Sequence, residues 1–326
     1  MKLLRLFPDD SNIRFVRWRV LSFPFSAFVS VMTLVLFMTL GLNYGIDFTG
    51  GTLMEMQAKS GQADLAKVRS TAHNFEVGEV EVQEFGQGGQ VSIRFRIQPG
   101  GEAAQSKLVA DARKAYEGDY EIRRVETVGP RVSGELVQAG TLGVVLSIVS
   151  VLVYLWFRFE LNLAIGAVIG TLHDIVLTVG FFLITREEFN MTSIAAILTI
   201  VGYSLNETVV VFDRTRELLR KYKNIPTDEL LDLSINHTMS RTVMTATTTA
   251  LSLLALVLFG GQAIQGFANV MLYGVVICTY SAIFVSSPML IYLGVKTSAR
   301  AAADDKADAA LKEAAMRRKP ATEPAG

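Results

Sequence analysis

Residues Thr242–Val295 read TVMTATTTALSLLALVLFGGQAIQGFANVMLYGVVICTYSAIFVSSPMLIYLGV and contain no charged side chain. A helix rises 1.5 Å per residue, so about 20 apolar residues cross a hydrocarbon core of about 30 Å. The stretch is too long for one crossing and has the length of two, with a turn at Gly260-Gly261-Gln262. It therefore predicts two transmembrane helices and places the chain among integral membrane proteins.

Four further stretches with few or no charges precede this one. They cover residues 20–46, 136–157, 161–185 and 189–212. The first follows a basic N-terminal segment, but its apolar run is too long for the core of a secretion signal, so we interpret it as a retained anchor. The chain is thus predicted to contain six transmembrane helices, one at residues 20–46 and five within residues 136–295.

The distribution of Lys and Arg predicts how the helices are oriented. These residues are concentrated in residues 1–19, the loop 213–241 and the tail 296–326, whereas the loops 186–190 and 260–266 hold one between them. The positive-inside rule places both termini and the loop 213–241 in the cytoplasm. In a bacterium the insert 47–135 then faces the periplasm, and the protein lies in the inner membrane. The tail 296–326 is polar and is predicted to be disordered.

The insert at residues 47–135 is predicted to be a small α+β domain. Val91–Ile97 alternates apolar and polar residues, as a half-buried strand does. Strands and helices are expected, in chain order, at residues 52–58, 65–75, 80–85, 91–97, 102–116 and 120–128. The order βαββαβ predicts a ferredoxin-like domain between the first and second transmembrane helices.

Three charged residues fall within or at the ends of predicted spans. Asp174 lies near the middle of the third span, Glu207 lies in the fourth, and Arg241 opens the fifth. A charge at the bilayer centre costs at least about 2.5–3.5 kcal/mol. Either a carboxylate pairs with Arg241 and holds helices together, or the carboxyls carry protons. We favour the role of proton carrier for Asp174 and Glu207. The residues alone do not decide the role of Arg241, or that of His173 next to Asp174.

Composition excludes several classes of protein. The 326 residues are 50% hydrophobic and carry zero net charge, so nothing indicates nucleic-acid binding. Cys278 is the single cysteine, and the three histidines lie in separate segments, so no metal site or other cofactor is expected. No Ser/His dyad, HExxH or Gly-x-Gly-Asp motif is present, which argues against an intramembrane protease or another enzyme.

Two longer motifs resemble a known family. Gly45-Ile-Asp-Phe-Thr-Gly-Gly51, just after the first span, resembles the signature of the SecD and SecF protein-export membrane proteins. The segment Gly202–Glu217 resembles the fourth-span motif of the SecF branch, and His173-Asp174 and Ser240-Arg241-Thr242 also match it. The motif residues singled out are Gly45, Asp47, Phe48, Gly50, Gly51, Gly202, Asn206, Asp213 and Arg214. Two departures are Glu207, where the family usually has Asp, and the sequence after Pro130.

The resemblance implies an architecture and a function. The chain would be the six-helix half of a transporter of the resistance-nodulation-division (RND) type, completed by SecD. With SecD it would use the proton motive force to assist unfolded preproteins through the SecYEG channel, and YajC and SecA are further candidate partners. Glu207 and Arg241 fall on the family's proton pathway, and protons would be the coupling ion. The alternative is an RND-like half-transporter for a lipid or small molecule.

Overall fold

The computed structural model describes residues 7–8, 11–75, 77–78, 80–85 and 89–297. Nearly all of the predicted tail 296–326 lies outside these residues. In the described part, six helices are long and apolar enough to cross a membrane. They are Phe15–Leu40, Pro130–Arg158, Leu161–Thr185, Met191–Lys221, Thr227–Phe259 and Ile264–Tyr292. The prediction of a six-helix membrane protein is therefore confirmed.

The secondary structure elements follow one another in a simple order. A 3-10 turn at Phe15–Trp18 leads into α1 (Arg19–Leu40), and α2 (Ile46–Thr49) is a single turn. The next elements are β1 (Gly51–Ala58), α3 (Leu65–His73), β2 (Val80–Phe85), β3 (Gln90–Phe95), α4 (Gly101–Tyr116) and β4 (Tyr120–Val128). The remaining helices are α5 (Pro130–Arg158), α6 (Leu161–Thr185), α7 (Met191–Lys221), α8 (Thr227–Phe259), α9 (Gln262–Ser281) and, after a π-helical turn at Ala282–Ser286, α10 (Ser287–Tyr292).

The described residues form two compact units. The helical unit takes in the described residues within 1–41, 149–184 and 196–326, and the sheet unit takes in those within 42–148 and 185–195. In the sheet unit the four strands lie in the order β2-β3-β1-β4, and every neighbouring pair is antiparallel. This order and the two intervening helices confirm the predicted ferredoxin-like domain.

One face of the sheet forms the core of the domain with α3 and α4. Met54 and Met56 of β1 lie beside Ile93 of β3, and Leu108 of α4 packs on the same cluster. These side chains alternate with residues on the other face, as the pleat of a strand requires. The alternation in the sequence therefore identified the buried face of the sheet.

Two predicted boundaries around this domain need correction. Helix α1 ends at Leu40 rather than at residue 46, because Gly41 adopts a φ of +61° that a side chain would strain. Helix α5 begins at Pro130 rather than at residue 136. Proline suits the first turn of a helix, and Arg131 pairs with Glu135 one turn later at 3.1 Å. The length of uncharged sequence therefore did not mark the ends of these helices.

The predicted loop at residues 213–241 is also mostly helical. Helix α7 continues to Lys221 and α8 starts at Thr227, so residues 222–226 alone separate them. Charged residues leave the apolar part of a membrane without ending a helix, because each backbone hydrogen bond remains satisfied. Leu230 and Leu231 are buried within the helical unit, where Asp232 also accepts the backbone N–H of Val16 at 2.8 Å. The segment at residues 227–241 is therefore the beginning of α8 and not part of a loop.

Helix α6 packs closely against the last transmembrane segment through two glycines. A Cβ on Gly166 would lie 2.8 Å from a methyl group of Leu290, and a Cβ on Gly170 would collide with the hydroxyl of Ser286. Small residues four apart allow such close approach in membranes. The contact brings α6, which carries Asp174, against the π-helical turn and α10.

Candidate proton-relay site

Glu207 lies on the buried face of α7. Its side chain is 2% exposed, and Ser204 and Val211, one turn before and one turn after it, are buried as well. Residues three or four positions apart share one face of a helix. Glu207 therefore points into the helical unit from a membrane-spanning helix.

Thr245 of α8 makes the direct contact with this carboxyl. Its hydroxyl donates a hydrogen bond to Oε1 of Glu207 at 3.1 Å and lies 3.0 Å from the backbone carbonyl of Arg241. A hydroxyl has one proton and two acceptor lone pairs. Thr245 can therefore donate to an ionised Glu207, or accept from a protonated one while donating to its own helix. Both protonation states keep a hydrogen bond, which a group that binds and releases protons requires.

Three further side chains surround the Glu207 carboxyl. The hydroxyls of Thr242 and Tyr203 lie near it, but neither has a hydrogen-bond partner in the described part of the chain. Arg241 is exposed on α8 and attracts the carboxylate electrostatically. The hydrogen bond to Glu207 thus comes from Thr245, and Arg241 acts on the carboxyl from farther away.

Asp174 is the second buried carboxyl and is 1% exposed on α6. The Ser204 hydroxyl donates to its Oδ2 at 2.6 Å, and Nδ1 of His173 lies 3.1 Å from its Oδ1. Each carboxyl oxygen thus has a partner. In the described part of the chain Asp174 forms no ion pair with Arg241, and Ser204 and His173 are the partners of its oxygens.

The two carboxyls belong to one buried polar cluster. Ser204, which contacts Asp174, lies one turn from Glu207 on α7. The buried thiol of Cys278 on α9 donates to the backbone carbonyl of Ile200 at 3.8 Å and is close enough to both carboxyls for an electrostatic interaction. We call Asp174, Glu207, Ser204, Cys278 and Thr245 the carboxyl cluster. Its hydroxyl and thiol groups can each donate and accept a hydrogen bond, so they can pass a proton between neighbours.

His173 extends the carboxyl cluster towards α1. Its Nε2 is buried and has no hydrogen-bond partner in the described part of the chain. The ring lies against Tyr280, with 6.3 Å between centroids, and the Tyr280 hydroxyl is 3.0 Å from the hydroxyl of Ser26. A neutral imidazole can accept a proton on one nitrogen while the other is protonated. The residues flanking Asp174 thus include a second group able to exchange protons.

The glycine-rich motif lies in the sheet unit and contributes no residue to the carboxyl cluster. Gly51 has a φ of +119°, and a Cβ there would collide with the backbone carbonyl of Phe95 on the neighbouring strand. Gly50 also has a positive φ, and a Cβ on Gly45 would lie 2.5 Å from a carboxyl oxygen of Glu188. These glycines therefore allow the close approach of backbone segments.

The two side chains inside this motif make specific contacts. Asp47 accepts the backbone N–H of Met191 at 2.9 Å, and Met191 is the first residue of α7. Phe48 stacks on Phe189 with 5.6 Å between ring centroids. Both contacts hold the segment before α7 against the glycine-rich turn.

The other motif residues of α7 also lie outside the carboxyl cluster. Gly202 and Asn206 are exposed on the opposite face of the helix. Asp213 forms an ion pair with Arg158 at the end of α5, and Arg214 donates to Nδ1 of a histidine on α8 at 2.8 Å. These residues therefore hold the end of α7, and the buried carboxyls lie one or more turns earlier.

A further carboxyl is buried in the sheet unit, outside the transmembrane segments. Glu55 of β1 is 9% exposed, and its nearer oxygen lies 3.7 Å from Arg124 of β4. Burial raises the pKa of Glu55, Arg124 opposes this effect, and the charges of Glu188 and Glu126 add to it. The domain therefore contains a carboxyl that holds its proton more tightly than an exposed glutamate does.

Comparison with known proteins identifies the family. The family profile described as "Protein export membrane protein SecD/SecF, C-terminal" matches residues 108–296, and the "SecD/SecF GG Motif" matches residues 35–62. The protein translocase subunit SecF of Rickettsia bellii is 39% identical over 294 residues, which cover 88% of this chain and 95% of that protein. The chain belongs to the SecD/SecF family of protein export membrane proteins.

Longer relatives contain a region that is similar to this chain. The protein translocase subunit SecDF of Brucella abortus is 40% identical over 293 residues, which cover 90% of this chain but 39% of that protein. The crystal structure of SecDF, a translocon-associated membrane protein from Thermus thermophilus, matches with a TM-score of 0.79 and 28% identity over 88% of this chain and 39% of that one. A structure of SecDF in a super-membrane-facing form matches with a TM-score of 0.60. This SecD/SecF family member thus spans less than half of the SecDF proteins and nearly all of SecF.

The sequence led to some residues of the carboxyl cluster and missed others. Asp174 and Glu207 were predicted, and His173 next to Asp174 was considered, because charged or titratable residues are rare in apolar spans. Ser204 and Cys278 were not predicted, because serine and cysteine are common in transmembrane helices. The spacing of three between Ser204 and Glu207 was the one available signal.

Proposed function

We propose that this chain is the six-helix, SecF-type half of an export unit that uses the proton motive force to assist preprotein translocation. The carboxyl cluster is the observation that carries the proposal. Glu207 and Asp174 are buried in membrane-spanning helices, and each is contacted by a group that suits either protonation state. Ionised groups at membrane depth are costly, so they are retained mainly where they serve transport.

The membrane potential supplies enough energy to drive protons through such a site. A charge that crosses the membrane potential releases about 2.3 kcal/mol per 100 mV. In this proposal Glu207 takes up a proton, Ser204 and Cys278 connect it with Asp174, and His173 exchanges protons beyond it. Arg241 stabilises the ionised form of Glu207 between proton transfers. The chain performs no covalent chemistry and needs no cofactor other than the proton.

The proposed partner is a SecD-type membrane protein. SecDF relatives combine in one chain a region like this one with a longer remainder, and this chain covers 39% of the Brucella abortus protein. A separate SecD subunit would supply that remainder. The Thermus thermophilus relative is described as translocon-associated, which supports SecYEG as the channel that the complex assists. Unfolded preprotein is then the substrate, with YajC and SecA as further candidate partners.

The proposed location is the bacterial inner membrane, with both termini in the cytoplasm and residues 47–135 in the periplasm. The argument is the concentration of Lys and Arg at the termini and between α7 and α8. Single cysteines at the exposed positions Ser60 and Asn224, with Cys278→Ala, should react with an impermeant thiol reagent from opposite sides. Labelling of both from one side would contradict this orientation.

A half-transporter for a lipid or small molecule is the alternative. The relatives compared above are protein translocase subunits, which favours export. Transport of a small molecule by the purified complex, without any effect on preproteins, would support the alternative.

The decisive experiment replaces Glu207 with Gln. The variant keeps the size and hydrogen bonding of the side chain but cannot titrate. It should be reconstituted in vesicles with the SecD-type partner, SecYEG and SecA, and preprotein translocation should be measured with and without an imposed proton gradient. We expect Glu207→Gln to lose the gradient-dependent part of translocation while the gradient-independent part and co-purification with the partner persist.

The matched control is Glu160→Gln, which removes one titratable carboxyl at an exposed position just before α6. This variant should respond to the gradient as the wild type does. Gradient-dependent translocation by Glu207→Gln at the wild-type rate would contradict the proposed role of Glu207.

A further inference from the structure

An open, strongly charged cleft of about 450 Å3 lies in the helical unit, where α5 and α7 end. Six side chains line it: Arg158, Asp213, Arg216, Glu217, Arg220 and Lys221. Four are cations and two are carboxylates. Both carboxylates are already paired within the protein, Asp213 with Arg158 and Glu217 with Arg214. The cleft therefore has an excess of positive charge.

Arg216 is the cation best placed to bind an anion in this cleft. Its guanidinium is half-buried, and the Nε atom is fully buried without a hydrogen-bond partner in the described part of the chain. A buried charged donor is costly to leave without an acceptor. The planar guanidinium matches the geometry of phosphate oxygens, which can accept two of its N–H groups at once. Arg216 thus favours a ligand with phosphate oxygens.

The surface beside the cleft is apolar. Trp156 and Phe157, the two residues before Arg158 on α5, are 73% and 84% exposed. Preceding residues of the same helix, such as Leu152 and Val153, are also exposed. Exposed aromatic side chains at the end of a spanning helix mark the level of the lipid headgroups. A ligand of this cleft therefore has hydrocarbon contacts available next to its anionic group.

We propose that this cleft is a binding site for the headgroup of an anionic phospholipid. The phosphate contacts Arg216 with Arg220 and Lys221 nearby, and the acyl chains lie along the exposed face of α5. Basic pockets between transmembrane helices on the cytoplasmic side bind such headgroups in other membrane proteins. A bound lipid would hold the end of α7, the helix that carries Glu207.

The test uses the full chain in mild detergent, where no membrane surface contributes. Phosphatidylglycerol is titrated and the bound lipid is counted by native mass spectrometry. The variant Arg216→Gln with Arg220→Gln leaves the ion pairs of Asp213 and Glu217 in place. Each basic residue near an anionic lipid contributes about fivefold in affinity, so this variant should bind about 30-fold more weakly. The control Arg17→Gln with Lys223→Gln removes two exposed cations outside the cleft and should bind as the wild type does.

Three results would contradict the proposal. An equal loss in the control would show diffuse attraction to positive charge, and equal binding of phosphatidylcholine would show that the headgroup charge is not recognised. Displacement of the lipid by inorganic phosphate at equal concentration would indicate a site for a free anion. If the double variant does not fold, Arg220→Gln at its exposed position should still weaken phosphatidylglycerol binding about fivefold relative to Lys223→Gln. Equal binding by these two variants would also contradict the proposal.

Discussion

The carboxylate of Asp47 accepts a hydrogen bond from the backbone N–H of Met191, with 2.9 Å between the two atoms. Met191 begins α7, the helix that carries Glu207. The first N–H groups of a helix have no partner within it, and a negative charge there also favours the helix dipole. A residue of the glycine-rich motif thus stabilises the beginning of a helix that is distant in sequence. This contact gives a physical role to Asp47 that the sequence motif did not indicate.

Removing this contact should loosen the beginning of α7. Asp47→Ala should cost about 1 kcal/mol, as the loss of a helix cap does. Faster hydrogen exchange is expected in peptides that cover the first turn of α7, measured by mass spectrometry on the full chain. Asp47→Asn keeps an acceptor oxygen and should show a smaller increase. Wild-type exchange in Asp47→Ala would show that the contact does not stabilise this helix.

The Thr245 hydroxyl is expected to matter for coupling. Thr245→Val removes the hydrogen bond to Glu207 with little change in shape. A charged group that loses a buried donor is destabilised by about 1–3 kcal/mol, so the gradient-dependent rate should fall by about tenfold. Thr248→Val is the control, because the hydroxyl of Thr248 bonds to backbone carbonyls of its own helix. The measurement is gradient-driven translocation in vesicles, and equal rates for the two variants would argue against a role for Thr245.

The stability of the sheet unit should depend on pH through Glu55. Burial raises the pKa of Glu55 above the ordinary value of 4.5, so the folded domain binds this proton more tightly than the unfolded chain does. Its contribution to stability is therefore full below the ordinary value and is lost as pH rises through the raised value. In Glu55→Gln this part of the pH dependence should disappear.

Hydrogen exchange of β1 in the full chain, corrected for the intrinsic effect of pH, measures this dependence. Glu121→Gln is the control, because Glu121 lies exposed on β4. It should keep the wild-type dependence on pH. If Glu55→Gln also keeps it, another group is responsible.

The sequence predicted the fold well wherever one physical rule dominated. Apolar length identified all six spanning helices, and the period-two alternation in Val91–Ile97 identified a strand with one buried face. The ends of the elements were less accurate. Helix α1 stops at Gly41 because of backbone conformation, and α7 continues to Lys221 because charge does not end a helix in water. The length of an uncharged stretch reflects the thickness of the membrane core and does not locate the ends of the helix.

The sequence predicted only part of the candidate site. Asp174 and Glu207 are conspicuous because a carboxyl is costly in a span. Ser204 and Cys278 become relevant when packing places α6, α7 and α9 around one cluster, which no local pattern encodes. Asp47 was recognised as a motif residue. Its partner is the backbone N–H of Met191, and because every residue except proline has this group, the sequence does not reveal the contact.

The last prediction separates the two possible roles of Asp174. Ser204→Ala removes the 2.6 Å hydrogen bond to Asp174 but leaves its carboxyl in place beside His173. Asp174→Asn keeps a side chain that can accept from Ser204 but removes the titrating group. If Asp174 carries protons, Asp174→Asn should abolish gradient-dependent translocation, whereas Ser204→Ala should only slow it.

If Asp174 only holds α6 and α7 together, Ser204→Ala should be the more damaging of the two variants. Asparagine then preserves the contact, and Ser204→Ala costs on the order of 1 kcal/mol of helix association. Thermal unfolding and co-purification with the partner, measured on both variants, report the structural role, and vesicle translocation with and without the gradient reports the coupling role. We expect Asp174→Asn to unfold at a temperature near that of the wild type and to lose its response to the gradient. A response that persists in Asp174→Asn would leave Glu207 as the sole proton carrier in the carboxyl cluster.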